Sequence, residues 1–184
     1  MKRLYRAGDY YRILGDLIAR VGDMRTAHRG GRINKAFMER IMMAVTEVNG
    51  CRYCSYFHTQ VALKAGLEKQ EIERTLAGDF EMAPDEELPA LYFAQHYAET
   101  AGHPQADALQ CLVDTYGDAT ARDILAYIRA IMVGNAWGNM FDSLRLRLKG
   151  RPSDGIGFWD ELVVVIGTPI LVPMIAISNL VRAG

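Results

Sequence analysis

The residues with the most chemistry in this 184-residue chain are Cys51, Cys54 and His58, in the run Gly50-Cys-Arg-Tyr-Cys-Ser-Tyr-Phe-His58. Two cysteines separated by two residues on the opening turn of a helix bring both sulfurs to one end of it, close enough to bridge after small adjustments. A helix N-terminus carries free N–H groups and a partial positive charge, which favour a thiolate. His58 follows Cys54 by four residues, one turn later on the same face. A histidine imidazole so placed is suited to take the thiol proton. Only the thiolate is a competent nucleophile, so a neighbouring base has a purpose here. Two other readings stay open. One is a structural zinc half-site completed by His58 with Glu39 or Cys111, although no second CxxC or histidine pair at finger spacing accompanies it. The other is a pair of buried, inert thiols.

Positioning these residues falls to helices. Strand signals are nearly absent, and apolar residues recur at spacings of three and four. Residues 9–21 carry the stripe Tyr10, Ile13, Leu14, Leu17, Ile18 and Val21. The Gly- and Arg-rich stretch Thr26 to Asn34 reads as a loop. A helix over 35–48 turns Phe37, Met38, Ile41, Met42 and Val45 inward, and Asn49-Gly50 interrupts it, since Gly is favoured just past a helix end. Further helices are expected from Arg52 to Ala65, over 68–77, over 85–101, over 104–116, and from a cap at Asp118 to about 148. Cys111, between Leu109 and Leu112, reads as core. Glu47 reads as helix-surface charge, and His28, His96 and His103 as surface residues. Asn135 and Asn139 read as buried hydrogen-bonding residues, with a place beside the pocket as the alternative.

Composition narrows the class. Half the residues are hydrophobic and 23% are charged, the balance of a globular protein large enough for one core. Lys+Arg number 21 against 22 Asp+Glu, so no uniform field points at nucleic acid. Local basic clusters at Arg25, Arg29 and Arg32 and at Arg145, Arg147, Lys149 and Arg151 read as solvated surface. Three cysteines, an odd number, do not suggest a secreted disulfide framework. The opening residues lack an apolar region of the signal-peptide kind. A cytoplasmic, reducing compartment is the expectation. From Leu162 to Val181 there is no charge, and Gly167, Pro169 and Pro173 interrupt the apolar run. The chain therefore divides at about 150, with a helical domain over 1–150 and a linker plus apolar segment over 151–184. The prolines argue against a straight spanning helix. The expectation is a broken segment that packs on the bundle or a neighbouring subunit, with membrane association as the alternative.

The resemblance to a known family rests on Glu39, twelve residues before the first cysteine, followed by Gly-Cys-x-x-Cys-x-x-x-His. This looks like the active-site signature of alkylhydroperoxidase D-like proteins, a branch of the carboxymuconolactone decarboxylase family. The run Ala62-Leu-Lys-Ala-Gly-Leu-Glu-Lys-Gln-Glu-Ile72 is similar to the family's helix, Gly-Leu break and acidic helix start. The resemblance covers roughly residues 30–140 and is strongest over 39–72. It implies an all-α bundle that assembles into homo-oligomers. It also implies that Cys51 and Cys54 are the redox pair, and His58 and Glu39 the proton relay. The histidine one turn from Cys54, together with this resemblance, favours Cys54 as nucleophile. The implied activity is a thiol-dependent peroxidase or disulfide oxidoreductase. Its partners would be a hydroperoxide or disulfide substrate and a dithiol reductant, and these residues require no metal, flavin or nicotinamide. One position departs from the pattern: some members have a histidine directly before the second cysteine, where this chain has Tyr53. Two alternatives remain, a cofactor-free decarboxylase or isomerase using His58 and Glu39 as acid and base, and a non-enzymatic redox-sensing oligomer.

Overall fold

The structure, a computed structural model, describes residues 2–182, with side chains described as far as Pro173. Among these residues there are eight α-helices, a 3-10 turn at Asp85–Glu87 and no strand. The helices are α1 (Ala7–Ala19), α2 (Val21–Gly30), α3 (Lys35–Asn49), α4 (Arg52–Lys64), α5 (Lys69–Thr75), α6 (Leu88–Glu99), α7 (Ala106–Arg147) and α8 (Phe158–Arg182). The all-α expectation holds.

The central element is α7. Its residues 121–140 are almost all buried, and α1, α2, α3, α4, α6 and α8 all lean on it. Gly117, at φ 74° and ψ 159°, breaks the helical path, so α7 is two rods joined at a kink. That is why sequence periodicity reads two helices, 104–116 and 118–148. The core of α3, α6 and the second rod holds Ile41, Ala44, Leu91, Ile124, Ile128 and Met132. A second core lies on the other side of α7, where Tyr10, Ile13 and Leu14 of α1 meet Val133, Ala136 and Met140 and are closed over by Val164 and Val165 of α8.

Caps and clamps fix α3, which carries Glu39. Asn34 accepts the N–H of Phe37 at 2.8 Å, and Gly50 ends the helix in the left-handed region at φ 65°. Arg40, next to Glu39, is buried and bonds Glu71 of α5 at 2.5 Å and Glu87 at 3.0 Å. Burial pushes the Glu87 carboxyl up even against the Arg40 charge. Such a clamp sets the rotation of α3 about its axis, because leaving either buried partner alone is costly.

Three expectations need correction. Residues 26–34 are not one loop. Helix α2 runs to Gly30, and only Gly31 to Asn34 are irregular. Its inward stripe is little more than Met24 and Ala27, too narrow to register as a period in so polar a stretch. Cys111 is not core. It is exposed, because its neighbour Leu112 takes the inward direction on a helix that turns about 100° per residue. The prolines at 169 and 173 do not break the apolar segment, since α8 runs through both. Its first half packs on the bundle. Glu161 is fully buried, accepts from Ser143 at 2.6 Å and pairs with Arg147 at 2.5 Å, while Thr168 donates to the Tyr10 hydroxyl at 2.9 Å. Among the described residues no helix is long and apolar enough to cross a membrane. The packing expected for side chains beyond Pro173 lies outside the described residues.

Candidate active site

The cysteine pair sits where α3 hands over to α4. Gly50 reverses the chain, and Cys51 becomes the N-cap of α4, its sulfur accepting the N–H of Cys54 at 3.3 Å. The turn is tied down through Asn49, which is fully buried. Its side chain takes the Tyr5 hydroxyl at 3.2 Å and donates to the Met132 sulfur at 3.2 Å. Its carbonyl accepts from Asn139 at 2.8 Å. Cys51 and Cys54 form a disulfide, with Cα atoms 5.3 Å apart. Cys51 is completely buried, and Cys54 is half-buried.

His58 lies one turn beyond Cys54, and its Nδ1 meets Glu39 Oε2 at 2.7 Å. Both side chains are buried, at 7% and 2% exposure, so the contact is shielded from water and from salt. With Glu39 as a carboxylate the Nδ1 carries the proton, which leaves the Nε2 lone pair free. The Phe57 ring packs edge-on against the imidazole, centroids 5.2 Å apart. All four residues expected at the site are thus brought together.

A cavity of about 380 Å³ opens over Cys54 and His58. Helix α4 supplies Tyr53, Cys54, Phe57 and His58, and α7 supplies Ile131, Gly134, Trp137, Gly138 and Phe141. The walls are apolar apart from the sulfur and the imidazole. Sequence reasoning offered Asn135 and Asn139 of α7 beside the pocket as an alternative but missed the α7 residues that line it, of which the key one is Gly138. A Cβ there would lie 2.8 Å from Cys51 Sγ and 3.6 Å from Cys54 Sγ, so the α7 backbone itself seals the back of the disulfide. Gly134, one turn earlier, leaves open space in the cavity wall. Two glycines a turn apart in a strong helix are the signal that could have pointed here, since each costs about 1 kcal/mol against alanine. Asn135 and Asn139 do not line the cavity. They are buried, and Asn139 bonds the carbonyls of Arg3 and Asn49. Glu47 faces Gln95 at 3.4 Å and is also absent from the lining.

Beside the mouth, Asp142 accepts from Arg52 at 2.5 Å, from the Tyr53 hydroxyl at 3.2 Å and from Lys2 at 3.1 Å. The Tyr53 proton is therefore committed to Asp142, and its ring serves as wall against Phe141. Burial would raise the Asp142 carboxyl, but Lys2, the Arg52 charge and the Tyr53 hydroxyl outweigh it and hold it below the usual carboxylate range. A carboxyl depressed on folding adds stability that is present above its unfolded value, about 3.9, and lost as pH falls through the lower folded value. Asp142→Asn should therefore lower the melting temperature at neutral pH and flatten its acid dependence below about pH 4. Equal melting of variant and parent at neutral pH would show that the cluster carries no stability.

Among the described residues no three His, Cys, Asp or Glu side chains are grouped to hold a metal, and Cys111 lies exposed on the first rod of α7. Comparison with known proteins agrees with the geometry. The chain is 27% identical over 133 residues to the uncharacterized protein YdfG of Bacillus subtilis (strain 168), a match covering 71% of this chain and 88% of the relative. No solved structure matches. The carboxymuconolactone decarboxylase family model matches residues 15–99, a stretch that includes the cysteine pair, His58 and Glu39.

Proposed function

We propose that the protein is a thiol-dependent peroxidase or disulfide oxidoreductase that cycles the Cys51–Cys54 pair. The observation that carries this reading is the asymmetry of the pair: Cys54 faces the cavity with His58, while Cys51 is buried behind it against Gly138. In the reduced protein His58 Nε2 takes the Cys54 proton, and Glu39 stabilises the imidazolium through Nδ1. The Cys54 thiolate attacks the terminal peroxide oxygen and the O–O bond breaks. The sulfur becomes a sulfenic acid, and the leaving alkoxide takes the proton from His58. The Cys51 thiol then displaces the sulfenic oxygen as water, forming the bridge. A dithiol reopens it by attack on Cys54, the sulfur that faces the cavity, which expels Cys51 as a thiolate beside the Cys54 N–H and leaves a mixed disulfide; the dithiol's second thiol then attacks its own sulfur in that bond and releases Cys54 as a thiolate. Each turnover reduces one peroxide to alcohol and water and oxidises one dithiol to a disulfide.

The test is direct. Reduced protein treated with an organic hydroperoxide, then alkylated and digested, should yield a Cys51–Cys54 peptide, with peroxide consumed in step. Because Cys111 is exposed it will react as well, so the measurement is repeated in Cys111→Ser. Free thiols at 51 and 54 beside an oxidised Cys111 would overturn the assignment.

A further inference from the structure

Helix α8 has a second face that the bundle does not use. Its inner side carries Glu161, Val164 and Val165, all buried. On the opposite side Trp159, Val163, Ile166 and Ile170 recur at helical spacing and are 72%, 43%, 53% and 55% exposed. Monomeric soluble surfaces seldom leave so continuous an apolar stripe uncovered. Alongside it runs a groove of about 470 Å³, lined by Leu162, Gly167, Leu171 and the Tyr11 ring. The Tyr11 hydroxyl is spent on the Val163 carbonyl at 2.9 Å, so the groove offers a ligand no free polar group from that side chain.

Two observations say what covers this face. From Pro169 to Pro173 every residue is exposed, on all sides of the helix, which has by then left the bundle. A folded partner covers one side of a helix, whereas a fluid apolar medium covers all of them. The sequence is also uncharged from Leu162 to Val181, while Lys149 and Arg151, both exposed, precede the helix across a loop that carries one exposed acid, Asp154, and the exposed rings of Phe158 and Trp159 open it. Basic residues and tryptophan at the head of an apolar helix match a headgroup layer above acyl chains. The neighbouring Arg147 is neutralised by Glu161 and adds nothing to this charge.

We propose that α8 seats the protein on an anionic lipid surface, with its outer stripe at the boundary between headgroups and acyl chains and Pro169 to Pro173 immersed among the chains. Trp159 sits at headgroup depth, and Lys149 and Arg151 contact lipid phosphates. The stripe and the disulfide cavity use different elements: α8 and Tyr11 of α1 form the one, and α4 with α7 the other.

The experiment uses the full chain with vesicles of phosphatidylcholine alone or mixed with phosphatidylglycerol. The protein should sediment with the mixed vesicles, bind the neutral ones more weakly, and lose the difference in high salt. Trp159 emission, followed in Trp137→Phe, should shift to the blue on binding. Ile166→Glu with Ile170→Glu should abolish sedimentation at unchanged helicity, because both side chains are exposed. Lys149→Glu with Arg151→Glu should remove only the anionic preference. A folded, dispersed protein that leaves both vesicle types in the supernatant without an emission shift would overturn the proposal. So would an Ile166→Glu, Ile170→Glu variant that dissociates an oligomer of a parent unable to bind vesicles, since the stripe would then be covered by a second copy of the chain.

Discussion

Replacing His58 with alanine is expected to slow peroxide-driven oxidation of Cys54 by about 10²–10⁴-fold, the usual loss when one acid–base group is removed. His58 is the base that shares the cavity with Cys54, and among the described residues no carboxylate or second histidine lines it. Glu39→Gln tests the same relay more gently. The amide can still accept the Nδ1 proton and keep the ring in place, but it lacks the charge that stabilises an imidazolium. Its loss should therefore be smaller than that of His58→Ala. The proper readout is the pH profile of Cys54 alkylation in reduced Cys111→Ser protein, which should move to higher pH in both variants. His58→Ala also leaves a buried carboxylate without its partner, a cost of about 1–3 kcal/mol, so thermal unfolding must be measured in parallel. Lowered melting with an unchanged alkylation profile would reduce both residues to a structural role.

Gly138→Ala should destabilise the oxidised protein, although alanine is the better helix former by about 1 kcal/mol. The new methyl would lie 2.8 Å from Cys51 Sγ, and that sulfur cannot swing away while bonded to Cys54. Either α7 retreats from α4 or the bridge fails to close, and overpacking of this kind costs about 1–3 kcal/mol. Gly134→Ala is the internal control. The nearest atom to its added Cβ is Ile131 Cδ1 at 4.0 Å, so the helix propensity gain should appear undiminished. The same substitution one turn apart is thus expected to carry opposite signs in thermal unfolding. Reduction should narrow the Gly138→Ala deficit, because a free Cys51 can rotate. Similar stabilisation by both alanines would show that the approach of α7 to the disulfide is looser than described.

How much of this was legible in the sequence depends on whether the cause was local. Asn34 and Gly50 write the limits of α3 into the chain, and the four-residue step from Cys54 to His58 places both on one wall. The approach of Glu39 to His58 joins two helices, and it came from resemblance to a family signature rather than from periodicity. Asn135 and Asn139 were offered as a pocket edge in the alternative reading, but the α7 residues that line the cavity were out of reach, since Gly138 means something only once another helix lies against it. Cys111 and Leu112 are adjacent apolar residues, and composition cannot say which of them faces inward. The prolines of α8 misled for a related reason. Each removes one donor, but a helix whose inner face is already held by Glu161, Val164 and Thr168 tolerates the loss.

The position of α1 has a consequence for how the protein is made. Its apolar face, Tyr10, Ile13 and Leu14, leaves the ribosome well before the residues that cover it. Those partners, Val133, Ala136, Met140, Val164 and Val165, follow more than a hundred residues later. At about 5–20 residues per second, that face waits on the order of ten seconds before anything native can cover it. Pausing during translation of the segment between α1 and α8 would therefore prolong the exposure of that face rather than help it fold.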